Sequence, residues 1–204
     1  MASVQEHEAI FLCLRIFNDF IVMSRKYKFH NTAGMYFVSF ATINWIDVFV
    51  REDYFNVVIE SLGCCRANLG MELYCWCIMP SHIHLIFRAK ENNPSQVLGR
   101  FKEHTSKSLR KLVSESVVES RREWMLWMME RAAKKNSSVS KYQFWQHHNK
   151  PIELWSVDVI EQKADYIHNN PVAAGFVTMP EHWKYSSAAT YCGLGGVLDI
   201  DLLW

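Results

Sequence analysis

The chain has 204 residues, of which 50% are hydrophobic and 14% aromatic. A chain of this length and composition can bury one sizeable core, which excludes a disordered or fibrous protein. Its formal net charge of only +1 gives no overall preference for an anionic partner, but the charge is unevenly distributed. Residues 94–150 carry 12 Lys/Arg against 5 Asp/Glu, whereas residues 151–204 carry 2 against 7. The basic middle of the chain is suited to contact with phosphate groups.

The N-terminus and the cysteines indicate a protein of the reducing cytoplasm. Residues 11–22 are largely apolar, but charged residues interrupt them and acidic ones precede them, unlike a signal peptide or a membrane span. The six cysteines contain no Cys-x-x-Cys pair and are expected to be free thiols. A basic segment, 24–28, follows Met23. We therefore expect residues 1–22 to be an appendage, residues 23–204 to form a single domain, and no membrane contact.

The first predicted elements are a strand and a helix. Residues 35–43 follow Gly34 and are rich in β-branched and aromatic side chains, which predicts a strand. From Phe55 to Leu69, apolar residues recur every three or four positions. This spacing predicts an amphipathic helix that ends at Gly70.

Two histidines alternate with an isoleucine in the next element. Residues 72–78 and 83–89 are short apolar runs separated by Met79-Pro80-Ser81, as in an antiparallel hairpin. Successive strand side chains point to opposite faces, so His82 and His84 are expected on one face. A lone histidine on an apolar strand is usually a hydrogen-bonded core residue, but a pair at spacing two can share a metal ion. The pair alone does not name a reaction, because unrelated hydrolase folds also use His-x-His.

A long helix with a basic face is predicted after the hairpin. Asn93 and Pro94 predict its start, with the asparagine as cap and the proline in the first turn. One face carries a basic stripe, made of Arg100, His104, Lys107 and Lys111. Such a stripe is either a solvated surface or a set of phosphate contacts. A second helix is predicted over residues 119–135, followed by a strand-like stretch over residues 142–155 that is broken at Lys150-Pro151.

The order strand, helix, strand, strand, helix predicts an α+β fold of ferredoxin-like type with an antiparallel sheet. One more helix is predicted to begin at Ser156 and to end by Asn170, because Pro171 disfavours the helical conformation of the residue before it. At 100° per residue, Tyr166 lies about a quarter-turn from the buried stripe of this helix. Lys163 and Asn170 lie on the same side as the tyrosine.

Two segments carry a resemblance to a known family: Pro80-Ser81-His82-Ile83-His84-Leu85 and Tyr166-Ile167-His168-Asn169-Asn170-Pro171-Val172. In this order, on a strand and then a helix, they resemble the single-tyrosine HUH transposases, specifically the branch associated with REP elements and related to insertion-sequence transposases. The resemblance runs from about residue 23 to about residue 191. It implies the HUH endonuclease fold, a ferredoxin-like or RRM-like antiparallel sheet with helices packed on it.

The resemblance also implies a chemistry, namely metal-dependent cleavage of single-stranded DNA by a tyrosine in DNA transposition and recombination. Tyr166 would attack the phosphorus and leave a 5′-phosphotyrosine and a free 3′-hydroxyl. Because the unperturbed pKa of a tyrosine is about 10, such a nucleophile needs activation. His82, His84 and Asn170 would bind Mg²⁺ or Mn²⁺, and two imidazoles with an amide favour Mn²⁺ or a hydrated Mg²⁺. His168 is expected to pack or cap rather than react.

The same resemblance implies single-stranded or hairpin DNA as the partner. We expect its backbone to be contacted, without sequence choice, by Arg100, Lys102, Lys107 and Lys111. The protein would act as a monomer or a homodimer, in the cytoplasm and associated with the nucleoid. Two alternatives stay open. One is a non-cleaving hairpin-binding module of transposase descent, and the other is a metal hydrolase unrelated to DNA, in which the histidine pair holds zinc and Tyr166 lies in the core.

Overall fold

The computed structural model describes residues 28–90, 93–136 and 141–204, so the predicted appendage at residues 1–22 lies outside the described residues. The helices and strands follow in the order β1 (Met35–Ala41), α1 (Glu52–Leu69), β2 (Met71–Ile78), β3 (His82–Ala89), α2 (Pro94–Glu115), α3 (Arg122–Lys134), β4 (Ile152–Glu153), α4 (Val157–Ala173) and α5 (Ala188–Tyr191). A short 3-10 turn, Ile43–Trp45, follows β1.

The strands form one antiparallel sheet in the order β2-β3-β1-β4. Strand β3 lies at its centre and pairs with β1, so that Ser39 lies opposite His84 and Ala41 opposite His82. Apart from α3, which is inserted before β4, this is the βαββαβ arrangement of a ferredoxin-like domain. The predicted α+β fold with an antiparallel sheet and helices packed on it is therefore confirmed.

Side-chain alternation along the strands separates two layers. One face of the sheet packs under α1 and α2, with buried residues that include Val38, Phe40 and Phe87. The other face carries the two histidines and is covered by α4 through Ala164 and Ile167. Each fully buried large apolar side chain contributes on the order of 1.5–3 kcal/mol. A one-residue slip of β3 would expose its whole apolar set, so this burial holds both histidines on the α4 side.

Local signals set several boundaries as predicted. Asn93 caps α2 by accepting a hydrogen bond from the Ser95 N–H at 2.9 Å, with Pro94 in the first turn. Gly70 ends α1 in the left-handed conformation at φ 63°, which glycine adopts without steric cost. Helix α1 begins three residues earlier than predicted, at Glu52. Among the described residues, no helix combines the length and the apolarity needed to cross a bilayer.

Two predicted elements differ from the structure. Helix α4 continues through Pro171 to Ala173 instead of ending by Asn170. The hydrogen bond that the proline cannot donate falls in the last turn, and the Ala174 N–H still donates to the Asn170 carbonyl at 3.0 Å. Of the strand-like stretch 142–155, only the two-residue β4 forms as a strand, and at the predicted break Lys150 adopts a left-handed backbone at φ 43°.

A buried carboxylate joins the start of α1 to the segment before α3. The side chain of Glu119 is 1% exposed and lies 2.9 Å from Arg121 Nε and 3.2 Å from Arg51 Nε. It also accepts a hydrogen bond from the Tyr54 hydroxyl at 3.3 Å. The hydrogen bonds from Arg121, with smaller help from Arg51, lower the pKa of Glu119 to about 2 despite its burial. The carboxylate therefore stays charged and paired at neutral pH.

Candidate active site

His82 and His84 lie side by side on β3 and face α4. Their ring centroids are 4.7 Å apart, with an angle of 81° between the rings. His84 is buried at 2% exposure, and His82 is only partly buried near the start of the strand. The Nδ1 atom of His82 lies 3.3 Å from the Ser81 hydroxyl in the preceding turn. The predicted common face of the two imidazoles is therefore observed.

Helix α4 brings Tyr166 and Asn170 to the histidine pair. Ser156 caps this helix by accepting a hydrogen bond from the Val159 N–H at 3.4 Å, about two turns before Tyr166. The Tyr166 ring lies edge-on to His84, with the ring centroids 5.2 Å apart. The side chain of Asn170, one turn further on, shares a hydrogen bond with His82. Tyr166 is 41% exposed, so part of the residue is accessible from outside. All four predicted residues meet at one site.

The imidazole nitrogens of His84 have no hydrogen-bond partner among the described residues, although both atoms are buried. Burial lowers the pKa of His84 well below its ordinary value, and the neighbouring His82 and Lys163 add to this. Burial also lowers the pKa of His82 to about 4, against a smaller opposing effect of the hydrogen bond with Asn170. Both rings are therefore neutral at physiological pH, which is the form that binds metals.

These side chains fit a divalent metal. A buried nitrogen without a partner costs about 1–3 kcal/mol, and coordination would remove this cost at His84. The described residues contain no group of three His, Cys, Asp or Glu side chains that could hold a metal. The third protein ligand would therefore be the amide oxygen of Asn170. Two imidazoles and an amide suit Mn²⁺, or Mg²⁺ with several waters, better than a closed zinc site.

Three further side chains surround this site; the helical spacing placed Lys163 on the side of Tyr166, whereas sequence reasoning missed Phe37 and Trp45. Phe37 stacks on His84, with centroids 5.9 Å apart and 18° between the rings. Lys163 places its ammonium 5.2 Å from the centre of the Phe37 ring and 5.8 Å from that of Tyr166, and burial lowers its pKa. Trp45 lies edge-on to His82 at 5.4 Å. Only the alternation in β1 could have placed Phe37 here, and no sequence pattern places Trp45.

His168 has a structural contact on another side of α4. Its Nε2 atom lies 2.8 Å from the Ser187 hydroxyl, which in turn bonds to the backbone of Trp76 on β2. Burial lowers the pKa of His168 to about 4. This neutral imidazole joins α4 to the segment before α5 and so holds Tyr166 at its distance from the sheet.

The basic stripe lies on the opposite side of the sheet. Phe101 of α2 contacts Phe40, whose side chain points away from the histidine face. Arg100, Lys107 and Lys111 are exposed on α2. Lys107 is paired with Glu103 at 2.6 Å, and Lys111 approaches Glu115 at 4.0 Å. The structure therefore brings these three predicted DNA contacts together with one another, but not with the tyrosine.

Lys102 does not belong to this stripe. Two residues along a helix correspond to about 200°, so its side chain leaves α2 on the side away from Arg100. Its ammonium donates to the Gln146 carbonyl at 2.8 Å and to the Asn149 side-chain oxygen at 2.6 Å. Burial lowers the pKa of Lys102 to about 7. The predicted DNA contact at Lys102 is corrected to a contact that holds residues 146–149 against the domain.

Comparison with known proteins adds independent information. Residues 34–142, more than half of the chain, match the family described as Transposase IS200 like. The matched segment contains both histidines and ends before α4. The chain is also 22% identical, over 165 residues, to a Haemophilus influenzae protein named as a candidate REP-associated tyrosine transposase. That alignment covers 81% of this chain and 85% of the relative.

A solved structure shares the fold. It shows a REP-associated tyrosine transposase bound to a REP hairpin, and it superposes with a TM-score of 0.60 at 16% identity over 88% of this chain and 96% of the other. The HUH fold expected from the sequence is confirmed by this likeness. The family match and the relative likewise confirm the resemblance that the two sequence segments indicated. The chain belongs to the IS200-like transposase family.

Proposed function

We propose that this protein is a metal-dependent endonuclease and strand transferase that acts on single-stranded DNA beside hairpin-forming repeats, in DNA transposition. One observation carries the proposal. Tyr166 and Asn170 on α4 meet His82 and His84 on β3 at a single site, with the tyrosine accessible from outside. An accessible nucleophile beside two neutral imidazoles is the arrangement that covalent phosphodiester cleavage needs.

Cleavage would begin with attack of the Tyr166 oxygen on the phosphorus. The new bond joins the tyrosine oxygen to the 5′-phosphate, and the bond between phosphorus and the 3′ oxygen breaks. The phenolic proton leaves to solvent, and the 3′ oxygen takes up a proton to become a hydroxyl. Attack of a 3′-hydroxyl on the phosphotyrosine reverses these bond changes, so the strand can be rejoined without an external energy source.

His82, His84 and Asn170 would hold Mn²⁺ or Mg²⁺, which when bound supplies positive charge for the phosphate and the departing oxygen. The two neutral rings are positioned for this before any ligand arrives, since their strand is fixed at the centre of the sheet. Lys163, close to the Tyr166 ring, adds a cation on the helix side of the site. Phe37 packs between sheet and helix and limits water around His84.

The DNA would be held partly by the exposed face of α2, on the opposite side of the sheet from the histidine pair. A relative of known structure was solved with a REP hairpin, and we transfer hairpin DNA to this chain as part of the proposal. Arg100, Lys107 and Lys111 remain the proposed backbone contacts, since all three are exposed on one helix. Lys102 is not among them, because its ammonium is bonded within the domain.

Of the two other readings, the metal hydrolase is disfavoured. It requires Tyr166 to be a core residue, whereas the side chain is 41% exposed and lies against His84. A module that binds hairpins without cutting them has the same surfaces as the proposed enzyme. It differs only in forming no covalent intermediate.

The experiment tests for that intermediate. The protein is incubated with Mn²⁺ and an end-labelled library of DNA hairpins that carry randomised unpaired flanks, so that no target sequence has to be assumed. A band that survives denaturant is expected with the natural protein and not with Tyr166→Phe. Tyr142→Phe serves as the matched control, because Tyr142 lies near α2 and α3, away from the site.

The outcomes separate the three readings. An adduct that persists in Tyr166→Phe would contradict the assignment of the nucleophile. Hairpin binding without any adduct would favour the non-cleaving module. Absence of binding to every hairpin in the library would favour a function unrelated to DNA.

A further inference from the structure

The turn after β1 has an unusual backbone. Asn44 and Trp45 adopt left-handed conformations, with φ of 51° and 55°. Asparagine tolerates this region, but a bulky aromatic residue is rarely found there, and such strain costs about 1–3 kcal/mol. Strained residues of this kind concentrate at functional sites. The conformation leaves the Trp45 ring 46% exposed, although neighbouring Ile43 and Ile46 are buried.

Trp45 lines an open pocket, which we call the Trp45 pocket. The pocket has a volume of about 560 Å³, within the range of about 300–1,000 Å³ of small-molecule sites. It lies between the turn and α3, and its lining includes Ile43, Trp45, Met128, Arg131, Lys135 and Gln146. The lining therefore combines apolar, aromatic and cationic side chains, with Arg131 on α3 and Lys135 at its end supplying the positive charge.

Two glutamines of the lining are held in place by hydrogen bonds. Gln146 donates from its side-chain amide to the Thr42 carbonyl at 3.0 Å and from its backbone to the Ala41 carbonyl at 2.8 Å. Gln143, also in the lining, donates to the Trp145 carbonyl at 3.0 Å. A pocket with fixed walls loses little conformational freedom when a ligand binds.

The chemistry of the lining selects a class of ligand. An aromatic side chain next to apolar ones accepts a planar ring, and base stacking on aromatic side chains does not depend on the identity of the base. Arg131, whose guanidinium lies 5.2 Å from the centre of the Trp127 ring, and Lys135 are in the same lining and attract an anion. A ring linked to a phosphate is a nucleotide. In a DNA hairpin, only unpaired nucleotides offer a free base for such stacking.

The pocket adjoins the proposed active site. The Trp45 ring that lines the pocket also contacts His82, with centroids 5.4 Å apart. A base stacked on Trp45 would therefore belong to a nucleotide close to the phosphate at Tyr166.

We propose that the Trp45 pocket binds the base of one unpaired nucleotide next to the cleaved phosphodiester, with that nucleotide's phosphate at Arg131 and Lys135. This inference rests on the proposed function and extends it by naming a subsite for the single strand. The pocket positions the strand, and the reacting groups remain those of α4 and β3. Because stacking does not distinguish bases, the subsite fixes the distance from stem to cleavage point rather than a sequence.

The test measures binding without cleavage. Affinity for a fluorescent hairpin with unpaired flanks on both sides is measured by anisotropy in EDTA, and each flank nucleotide is replaced in turn by an abasic residue. At one position the abasic residue is expected to weaken binding by the natural protein about 5- to 100-fold, as stacking on one aromatic side chain predicts. Trp45→Ala should show the same loss on the intact strand and no further loss at that position. Trp45→Phe should retain most of the affinity.

Trp124→Ala is the matched control, since Trp124 is 47% exposed on α3 but does not line the pocket. Circular dichroism verifies that each variant is folded. Arg131→Ala supplies a second test at a surface position, and it should lower the salt dependence of binding by about one phosphate contact. Natural protein with no position sensitive to base removal, or Trp45→Ala that keeps full affinity and base sensitivity, would overturn the subsite.

Failure of the subsite and failure of the proposed function give different results. If the protein forms the Tyr166 adduct but shows no base-sensitive position, the proposed function is supported and the subsite is contradicted. If a base-sensitive position depends on Trp45 but no adduct forms, the subsite is supported and the proposed cleavage is contradicted. Absence of hairpin binding overturns both.

Discussion

Replacement of His84 by leucine is expected to stabilise the metal-free protein while it abolishes metal binding. In the described structure the two ring nitrogens of His84 are buried and have no hydrogen-bond partner. Leucine has a similar volume and no polar atom, and its neighbours at this position include Phe37. The substitution therefore removes an unfavourable group rather than a favourable contact.

The expected gain in stability follows from the burial of the two His84 nitrogens. A buried polar group without a partner costs about 1–3 kcal/mol, and imperfect packing of the new side chain takes back up to about 1 kcal/mol. The midpoints of these two ranges leave a net gain of about 1.5 kcal/mol, which raises Tm by about 3–6 °C for a domain of this size. The natural protein should instead gain about 2.7 kcal/mol when Mn²⁺ is present at 100 times its Kd.

Thermal unfolding is measured in EDTA and again in Mn²⁺ for the natural protein, His84→Leu and a control. His147→Leu is the control because His147 is exposed on the loop before β4. In EDTA, His84→Leu should unfold at a higher temperature than the natural protein, and added Mn²⁺ should raise Tm only in the natural protein and the control. A loss of stability in EDTA would show that His84 is already satisfied without metal, and the argument for a metal site would be refuted.

Three further predictions concern the third ligand, the DNA surface and the fold. Asn170→Ala should weaken Mn²⁺ binding at least about tenfold by calorimetry, since even the groups that support the ligands of a metal site contribute this much and a ligand contributes no less; unchanged affinity would remove Asn170 from the site. Arg100→Ala combined with Lys107→Ala should lower the slope of log K against log salt by about 2, because each phosphate contact contributes about 0.9; an unchanged slope would place the DNA elsewhere. Glu119→Gln should lower the free energy of unfolding at pH 7 by roughly 3 kcal/mol relative to Glu115→Gln, from a pKa lowered from 4.5 to about 2. This stabilisation is present above pH 4.5 and is lost as the pH falls towards 2, so urea unfolding at pH 2 should no longer distinguish the two variants.

Period-two and helical patterns were enough to predict the main elements of the site. His82 and His84 share a face because strand side chains alternate, and the apolar positions of β3 fix which face that is. Tyr166 and Asn170 share a side of α4 because they are one helical turn apart. That the two elements meet followed from the family resemblance, since no local pattern contains a contact across eighty residues.

The sequence predictions that differ from the structure do so for physical reasons that a local sequence pattern does not reveal. Lys102 was grouped with the basic stripe by its charge, although its position on the helix points it towards Gln146. Pro171 was read as the end of α4, but a proline so close to the last turn removes few hydrogen bonds. Trp45 was not singled out, because its exposure depends on a left-handed turn that only the folded chain shows.

Identification of the residue that becomes linked to DNA tests the central claim most directly. The denaturant-resistant adduct is digested with trypsin and nuclease, and the modified peptide is sequenced by mass spectrometry. The account predicts a nucleotide linked through its 5′-phosphate to Tyr166, within the tryptic peptide of residues 164–184, and a released fragment that ends in a 3′-hydroxyl. A nucleotide on any other residue, or a released fragment with a 3′-phosphate, would contradict it.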